Sequence, residues 1–416
     1  MSSPNRAPAL VLDTGSHLCR AGLSTSAKPG CSVPSVVDDG GFVGDSAMAT
    51  RHPTRAVDRG AVCEWQAACS VWTHAFEKRL KVEPSEHPLL LADSMCAPRG
   101  DRDKLAEIFF ESFQVMELMI CLEDLLTLYA TGRTTGFVVD SGASTTTGVP
   151  VFEGQPLRPI ARWLPLGGRD VTHRLCDTLA GYREIQQRVT GSSPVVDGQA
   201  RAIKMVNGAK EKLAHVATDA FALEEMVASE GADPVTYKLP DGSTFDVAEE
   251  RFGCCEFFFA RLPPEEHRDL EYFMTPAGRL LEQERAASGI GVKIGAGGAG
   301  GAGGGGGVGG GSRGGGGGGG GEEKVGAEGA EVGGVEDVVW LKTVRRRAYK
   351  ESLPKMVTEI ALGLDETVVK DVLGNVVMSG GNSLIPGFAS RLKRDAIQEG
   401  TPRMTVSSRI LAVVEV

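Results

Sequence analysis

The sequence predicts an α/β protein of two similarly built halves, and three observations predict it. Ala9-Leu10-Val11-Leu12-Asp13 is a short apolar run that ends in an acid and meets Thr14-Gly15-Ser16, the pattern of a buried strand stopping at a tight turn. The pattern returns at Gly136-Phe137-Val138-Val139-Asp140, followed by Ser141-Gly142-Ala143-Ser144 and a second apolar segment from Gly148 to Phe152. Two copies of strand, Asp-x-Gly turn and strand, 127 residues apart, read as a duplication. The third signal is Val376-Val377-Met378-Ser379-Gly380-Gly381, a strand running into a glycine turn, with a helix expected from Phe388 to Ile397. Glycines there let backbone N–H groups approach a ligand with no Cβ in the way.

Between the two copies, Leu105, Ile108, Phe109 and Ser112 recur at helical spacing, which predicts a helix over Asp103–Phe113 capped by Asp101 or Asp103. Met205, Ala209, Leu213 and Val216 line one face of a second helix, beside Lys210 and Glu211. Of the 56 glycines, 27 fall between Gly289 and Gly334, so the excess belongs to one insert and the rest has globular composition. That insert has almost no apolar side chains to offset its ordering cost and is expected to be a disordered surface tether spanning roughly 40 Å. After it, Lys342-Thr343-Val344-Arg345-Arg346-Arg347-Ala348-Tyr349-Lys350 is a dense basic cluster, either a solvated helix face or a nuclear-import signal.

The net charge of −10 argues against non-specific nucleic-acid binding, so contact with nucleic acid is expected only indirectly. No apolar run approaches the roughly 20 residues of a membrane helix, and Met1–Pro8 lacks a secretory pattern, so no membrane association is expected. Nine cysteines without a C-x-x-C pair favour a reducing compartment.

The three glycine turns resemble the two phosphate hairpins and the adenosine loop of the actin family. Further stretches are similar to that family: Val82–Ser94, Leu128–Gly142, Leu164–Thr172, Lys210–Asp219 and Tyr237–Phe252, within overall similarity over 8–260 and 350–412. The resemblance implies the actin-like, duplicated ribonuclease-H-like fold, two halves around a nucleotide cleft. The expected divisions are an N-terminal half over 1–131 with a short remnant loop at 38–57, a C-terminal core from 132–167 and 335–416, an inserted subdomain over 168–260, and the glycine-rich insert at 289–334. It also implies ATP and Mg as cofactors. Asp13 and Asp140 would hold the ion through its waters, Gly15, Ser16, Arg20 and Gly142 would meet phosphate, and Lys210, Glu211, Gly380 and Gly381 would border adenosine. Taken alone, each Asp equally caps a turn, and Lys210 and Glu211 are equally two solvated charges.

The chain departs from the family pattern in places. Glu123 and Thr147 stand where the family has the glutamine and histidine that orient the attacking water, so no catalytic residue is expected and hydrolysis should be weak. His17 stands in place of a phosphate-hairpin glycine, Asn207 of an arginine and Ile385 of a tyrosine. The Asp140–Thr147 turn, Arg20, the bulk after Ser16 and the Gly380–Phe388 segment are most similar to the nuclear branch of the family, in chromatin-remodelling and histone-acetyltransferase assemblies. That branch implies actin, a remodeller motor helix and other protein subunits as partners, and the nucleus as location. The short link between Val37 and Asp58 disfavours the alternative, a cytoskeletal filament subunit or ATPase. The family continues past the counterpart of Thr401–Val406 with a segment that returns to the first half, whereas the chain ends at Val416; either an incomplete sequence or an underbuilt half is expected.

Overall fold

The computed structural model describes residues 7–48, 53–179, 205–217, 233–239, 242, 244–259 and 352–401; the glycine-rich stretch 289–334 and the basic cluster 342–350 lie outside the described residues. Two mixed sheets of five strands carry the structure. In the first, β1 (Leu10–Thr14), β2 (Leu18–Leu23) and β3 (Cys31–Pro34) run antiparallel, and β4 (Leu89–Asp93) and β5 (Leu118–Leu122) extend the sheet in parallel from β1. In the second, β6 (Gly136–Ser141) and β7 (Thr146–Phe152) form the hairpin, β8 (Gln155–Pro156) and β9 (Arg162–Leu164) pair with β7, and β10 (Val376–Ser379) lies parallel to β6.

The duplication read from the sequence is a duplication of register. Asp13 pairs across its hairpin with Arg20 and Asp140 pairs across its own with Thr147. On the other side each has a parallel neighbour, Ala92 beside Asp13 and Ser379 beside Asp140. The strand β6 is apolar without alternation because both its faces are covered. Phe137 and Val139 enter one core, and Val138 enters another with Leu128, Val149 and Val151.

Helices α1 (Trp65–Thr73) and α2 (Arg99–Glu107) cover the first sheet. The helix expected over Asp103–Phe113 differs from this in two ways. It begins earlier, after Pro98, with no side-chain cap, and past Glu107 it widens into a π-helical turn over Ile108–Ser112. The wider turn, closed by Phe113 N donating to Ile108 O at 3.2 Å, rotates later residues off the 3.6-residue stripe. Ser112 therefore faces solvent while Phe113 packs on Phe109 and Trp72, with ring centroids 5.4 and 6.4 Å apart.

Helix α3 (Glu123–Ala130) follows β5 without a loop and carries Leu128 from the first half into the core of the second. In the second half α4 (Gly168–Thr178), a helix over 205–213, α5 (Leu353–Gly363), α6 (Val369–Leu373) and α7 (Phe388–Gln398) bury Val171, Leu175, Met356, Ile360, Phe388 and Leu392 against Phe137 and Val139. The Phe388–Ile397 expectation holds to within one residue. Along the helix over 205–213 the fully buried positions are Val206 and Ala209, and Val216 lies past its end. The stripe extrapolated from Met205 to Val216 ran through a helix end that the apolar spacing does not mark.

The described residues at the link between Val37 and Asp58 are tied by two short antiparallel strand pairs. Val36–Val37 pairs with Thr54–Arg55, and Val57–Asp58 pairs with Ala61–Val62 around Arg59 and Gly60, both at positive φ. Such a two-residue turn suits the right-handed twist of its strands.

Candidate functional site

The residues singled out at the strand ends converge. Asp13 ends β1, and its Oδ2 accepts from Arg20 Nη1 at 3.2 Å. Asp140 ends β6, and its Oδ2 accepts from Ser379 Oγ at 2.5 Å. Burial raises both carboxyls above the usual carboxylate range. Arg20 opposes the rise at Asp13, while at Asp140 the Ser379 hydrogen bond opposes it and the charge of Asp13 adds to it. The charge of Asp13 in the first half is thus felt at Asp140 in the second. Arg20, read as a phosphate contact, is an ion-pair partner of Asp13 here.

The first turn of α3 adds two more acids. Glu123 is pushed well above its usual range by burial, then by the charges of Asp140, Asp124 and Asp13. Asp124, on which the sequence reading placed no role, is fully buried and raised to about 7, by burial first and Asp140 next. Thr147 Oγ1 donates to Asp124 Oδ1 at 2.9 Å. Thr147 is therefore buried with its hydroxyl committed to a carboxylate. The missed signal was the Glu123-Asp124 doublet itself, two adjacent acids at a helix N-terminus, which reads as ordinary dipole compensation.

The glycine turns close around these acids. Gly142 N donates to Thr145 O at 2.9 Å, shaping the second hairpin. Asn382 Nδ2 donates to Ser141 Oγ at 3.0 Å and to Gly142 O at 2.9 Å, so the third turn clasps the second. Gly380 has φ +78° and lies so close to the Ser141 backbone that a Cβ would collide with it, which only glycine tolerates. Gly381 is exposed, with open space where a Cβ would stand. In the first hairpin Ser35 Oγ donates to Gly15 O at 2.6 Å and Gly60 N to Ser16 Oγ at 3.3 Å.

Lys210 Nζ donates to Gly168 O at 3.1 Å at the start of α4, and burial lowers the pKa of its ammonium. Glu211 is exposed and accepts from Asn207 Nδ2 at 2.7 Å, while Asn207 Oδ1 accepts from Thr172 Oγ1 at 2.9 Å. His17 keeps its outer side in water, yet protein packed on its inner side, with Lys210, Arg169 and Arg55, lowers its imidazole to about 4. It is neutral at pH 7 and faces the cations of the second half.

A latch that the sequence reading missed joins the halves. Asp58 Oδ1 accepts from Arg169 Nη1 at 2.6 Å, and Asp58 is held below its usual range by Arg169 and Arg59 against the opposing effect of burial. Arg59 N donates to Ser144 Oγ at 3.0 Å and Arg59 Nη1 to Pro165 O at 2.8 Å. Every partner lies more than eighty positions away, a distance at which no local pattern carries a signal.

Asp13 and Asp140 near the ends of two strands, with Glu123 and Asp124 beside them and Arg20 and Arg158 among the neighbouring cations, make a carboxyl-rich site whose oxygens suit a hard divalent cation. Among the described residues no three His, Cys, Asp or Glu side chains converge as a direct ligand set. Asp13 and Asp140 would meet such an ion through its own waters, and the open turn at Gly381 leaves space for a phosphate oxygen to approach the backbone. Among these residues, too, no helix is long and apolar enough to cross a membrane.

The family model for actin matches residues 5–414, nearly the whole chain. With two hairpins of matching register at Asp13 and Asp140 and the match over nearly the whole chain, the chain belongs to the actin family, whose members are nucleotide-binding proteins.

Proposed function

We propose that the chain binds Mg-ATP between its halves, uses it chiefly as a brace, hydrolyses it slowly, and serves as a scaffold subunit of a nuclear chromatin-remodelling assembly. The observation that carries the nucleotide reading is the pair Asp13 and Asp140, half-buried at equivalent register positions of the two halves, with the charge of Asp13 felt at Asp140. Bound there, the ion would neutralise phosphate oxygens that four carboxylates otherwise repel. Slow turnover is supported by Thr147, whose hydroxyl is already engaged, and by Glu123, whose carboxyl is pushed well above its usual range by burial and the neighbouring acids.

The nuclear reading is supported by likeness to nuclear actin-related protein four at the Asp140–Thr147 turn, Arg20, His17 and the Gly380–Phe388 segment. Its partners would be actin and a long basic helix of a remodeller motor, received as a helix in a groove, and the −10 charge would speed that encounter. A pull-down with such a helix, with and without actin, tests this, together with localisation before and after changing Arg345, Arg346 and Arg347 to alanine. Capture of helix and actin by a nuclear protein is expected. A cytoplasmic protein that ignores both, or one that pellets as a polymer with Mg-ATP, would overturn the assignment.

A further inference from the structure

Asp124 is the residue of the cleft floor that the reading above leaves without a task. None of its surface is in water. Its Oδ1 is held by Thr147 Oγ1 at 2.9 Å, whereas its Oδ2 has no hydrogen-bond partner among the described residues. A buried carboxylate oxygen left unpaired is costly, and the partner that fits such a position is a water with other polar neighbours. Around Asp124 stand Glu123 from its own helix, Asp140 from β6, Thr147 from β7 and Arg158 from the segment after β8. The carboxyl of Glu123 is raised well above its usual range, by burial first and then by the charges of Asp140, Asp124 and Asp13.

We infer that Asp124, oriented by Thr147, is the positioning residue for ATP hydrolysis in this chain: its Oδ2 accepts a hydrogen bond from the water that attacks the terminal phosphate. In the step, the water oxygen bonds to the terminal phosphorus. The bond from that phosphorus to the bridging oxygen breaks, with its electron pair remaining on the diphosphate. One water proton passes to Asp124 Oδ2 and leaves to solvent with the products. The assignment rests on the nucleotide reading of the same cleft. It moves the water-handling role from the two positions where the family pattern puts it, Glu123 and Thr147, to a carboxylate between them in space.

The test uses the full chain with Mg and compares wild type with Asp124→Asn, Thr147→Val and Thr147→Ser. Three quantities are read: affinity for a non-hydrolysable ATP analogue, affinity for ADP with aluminium fluoride, which mimics the phosphate under attack, and single-turnover phosphate release. Analogue affinity should stay within about threefold in all variants. Asp124→Asn should lose on the order of a hundredfold in phosphate release, the usual contribution of a positioned base, and at least tenfold in affinity for the fluoride complex. Thr147→Val should fall the same way and Thr147→Ser should restore it, a rescue that a merely structural threonine methyl would not give. Wild-type release in Asp124→Asn, or fluoride-complex affinity indifferent to Asp124, would overturn the inference. So would a wild-type protein that binds the analogue but releases no phosphate, which leaves the brace reading standing. Failure of wild type to bind the analogue would sink the nucleotide reading as well.

Discussion

Replacing Asp124 by asparagine should stabilise the nucleotide-free protein at pH 8 and destabilise it near pH 4. Asp124 is fully buried, and its carboxyl moves from 3.8 to about 7 on folding. Its folded pKa is raised, so the folded state binds the extra proton between those values; stability is greatest below the unfolded pKa and is lost as pH rises through about 7. Roughly three pKa units at 1.36 kcal/mol each give a loss of about 4 kcal/mol at pH 8. Asparagine escapes that loss and keeps an Oδ1 acceptor for Thr147, but it buries an amide N–H in place of Oδ2, at about 1 to 3 kcal/mol. The net expectation is a gain of about 1 to 3 kcal/mol at pH 8 and a deficit of similar size near pH 4. Urea midpoints of both proteins across that range measure it, and the difference between them cancels acids that titrate alike in each. Glu123 does not cancel entirely, since losing the Asp124 charge eases its own ionisation in the variant and adds to the gain at pH 8. A difference independent of pH would refute the reasoning, because it would mean that Asp124 ionises as freely in the fold as outside it.

Two further substitutions probe the frame around the site. Arg391, almost wholly buried on α7, holds Glu256 through both guanidinium ends at 3.2 Å and Asp395 through Nε at 2.5 Å. Arg391→Ala should cost about 3 to 5 kcal/mol in denaturant unfolding at pH 8, and less at pH 5, where Glu256, already raised by burial, takes up a proton; an unchanged midpoint would contradict the buried triad. Gly380→Ala should cost more than the roughly 1 to 2 kcal/mol of a positive-φ alanine, because the Ser141 backbone stands where its Cβ would go; a loss below 1 kcal/mol by the same measurement would contradict that contact.

The parts of the fold legible in the sequence were those written in short apolar runs. Ala9–Asp13 and Gly136–Asp140 announced β1 and β6 because both strands are largely buried and stop at a glycine turn, and the repeat of strand and Asp-x-Gly turn 127 residues apart carried the duplication. The π-helical turn at Ile108–Ser112 was hidden because an added residue in a helix leaves no mark in composition, only a phase shift that Phe113 resolves by packing. In the site, Asp13 and Asp140 were readable from their own turns. Asp58, Arg59 and Asp124 were not, since each gets its meaning from a partner distant in sequence: Arg169, Ser144 and Thr147. Arg20 was legible as a cleft cation but not as the counter-ion of Asp13.

The most direct test of the account is thermal unfolding of the full chain with Mg, titrated with ATP, for wild type and Asp140→Ala. A ligand held only by the folded state adds about 2.7 kcal/mol at a hundred times its dissociation constant, so the wild-type midpoint should climb with ATP concentration. The climb should shrink sharply in Asp140→Ala and in wild type stripped of Mg by a chelator. A wild-type midpoint that ignores ATP at millimolar concentration, with or without Mg, would contradict the claim that the facing acids form a nucleotide site.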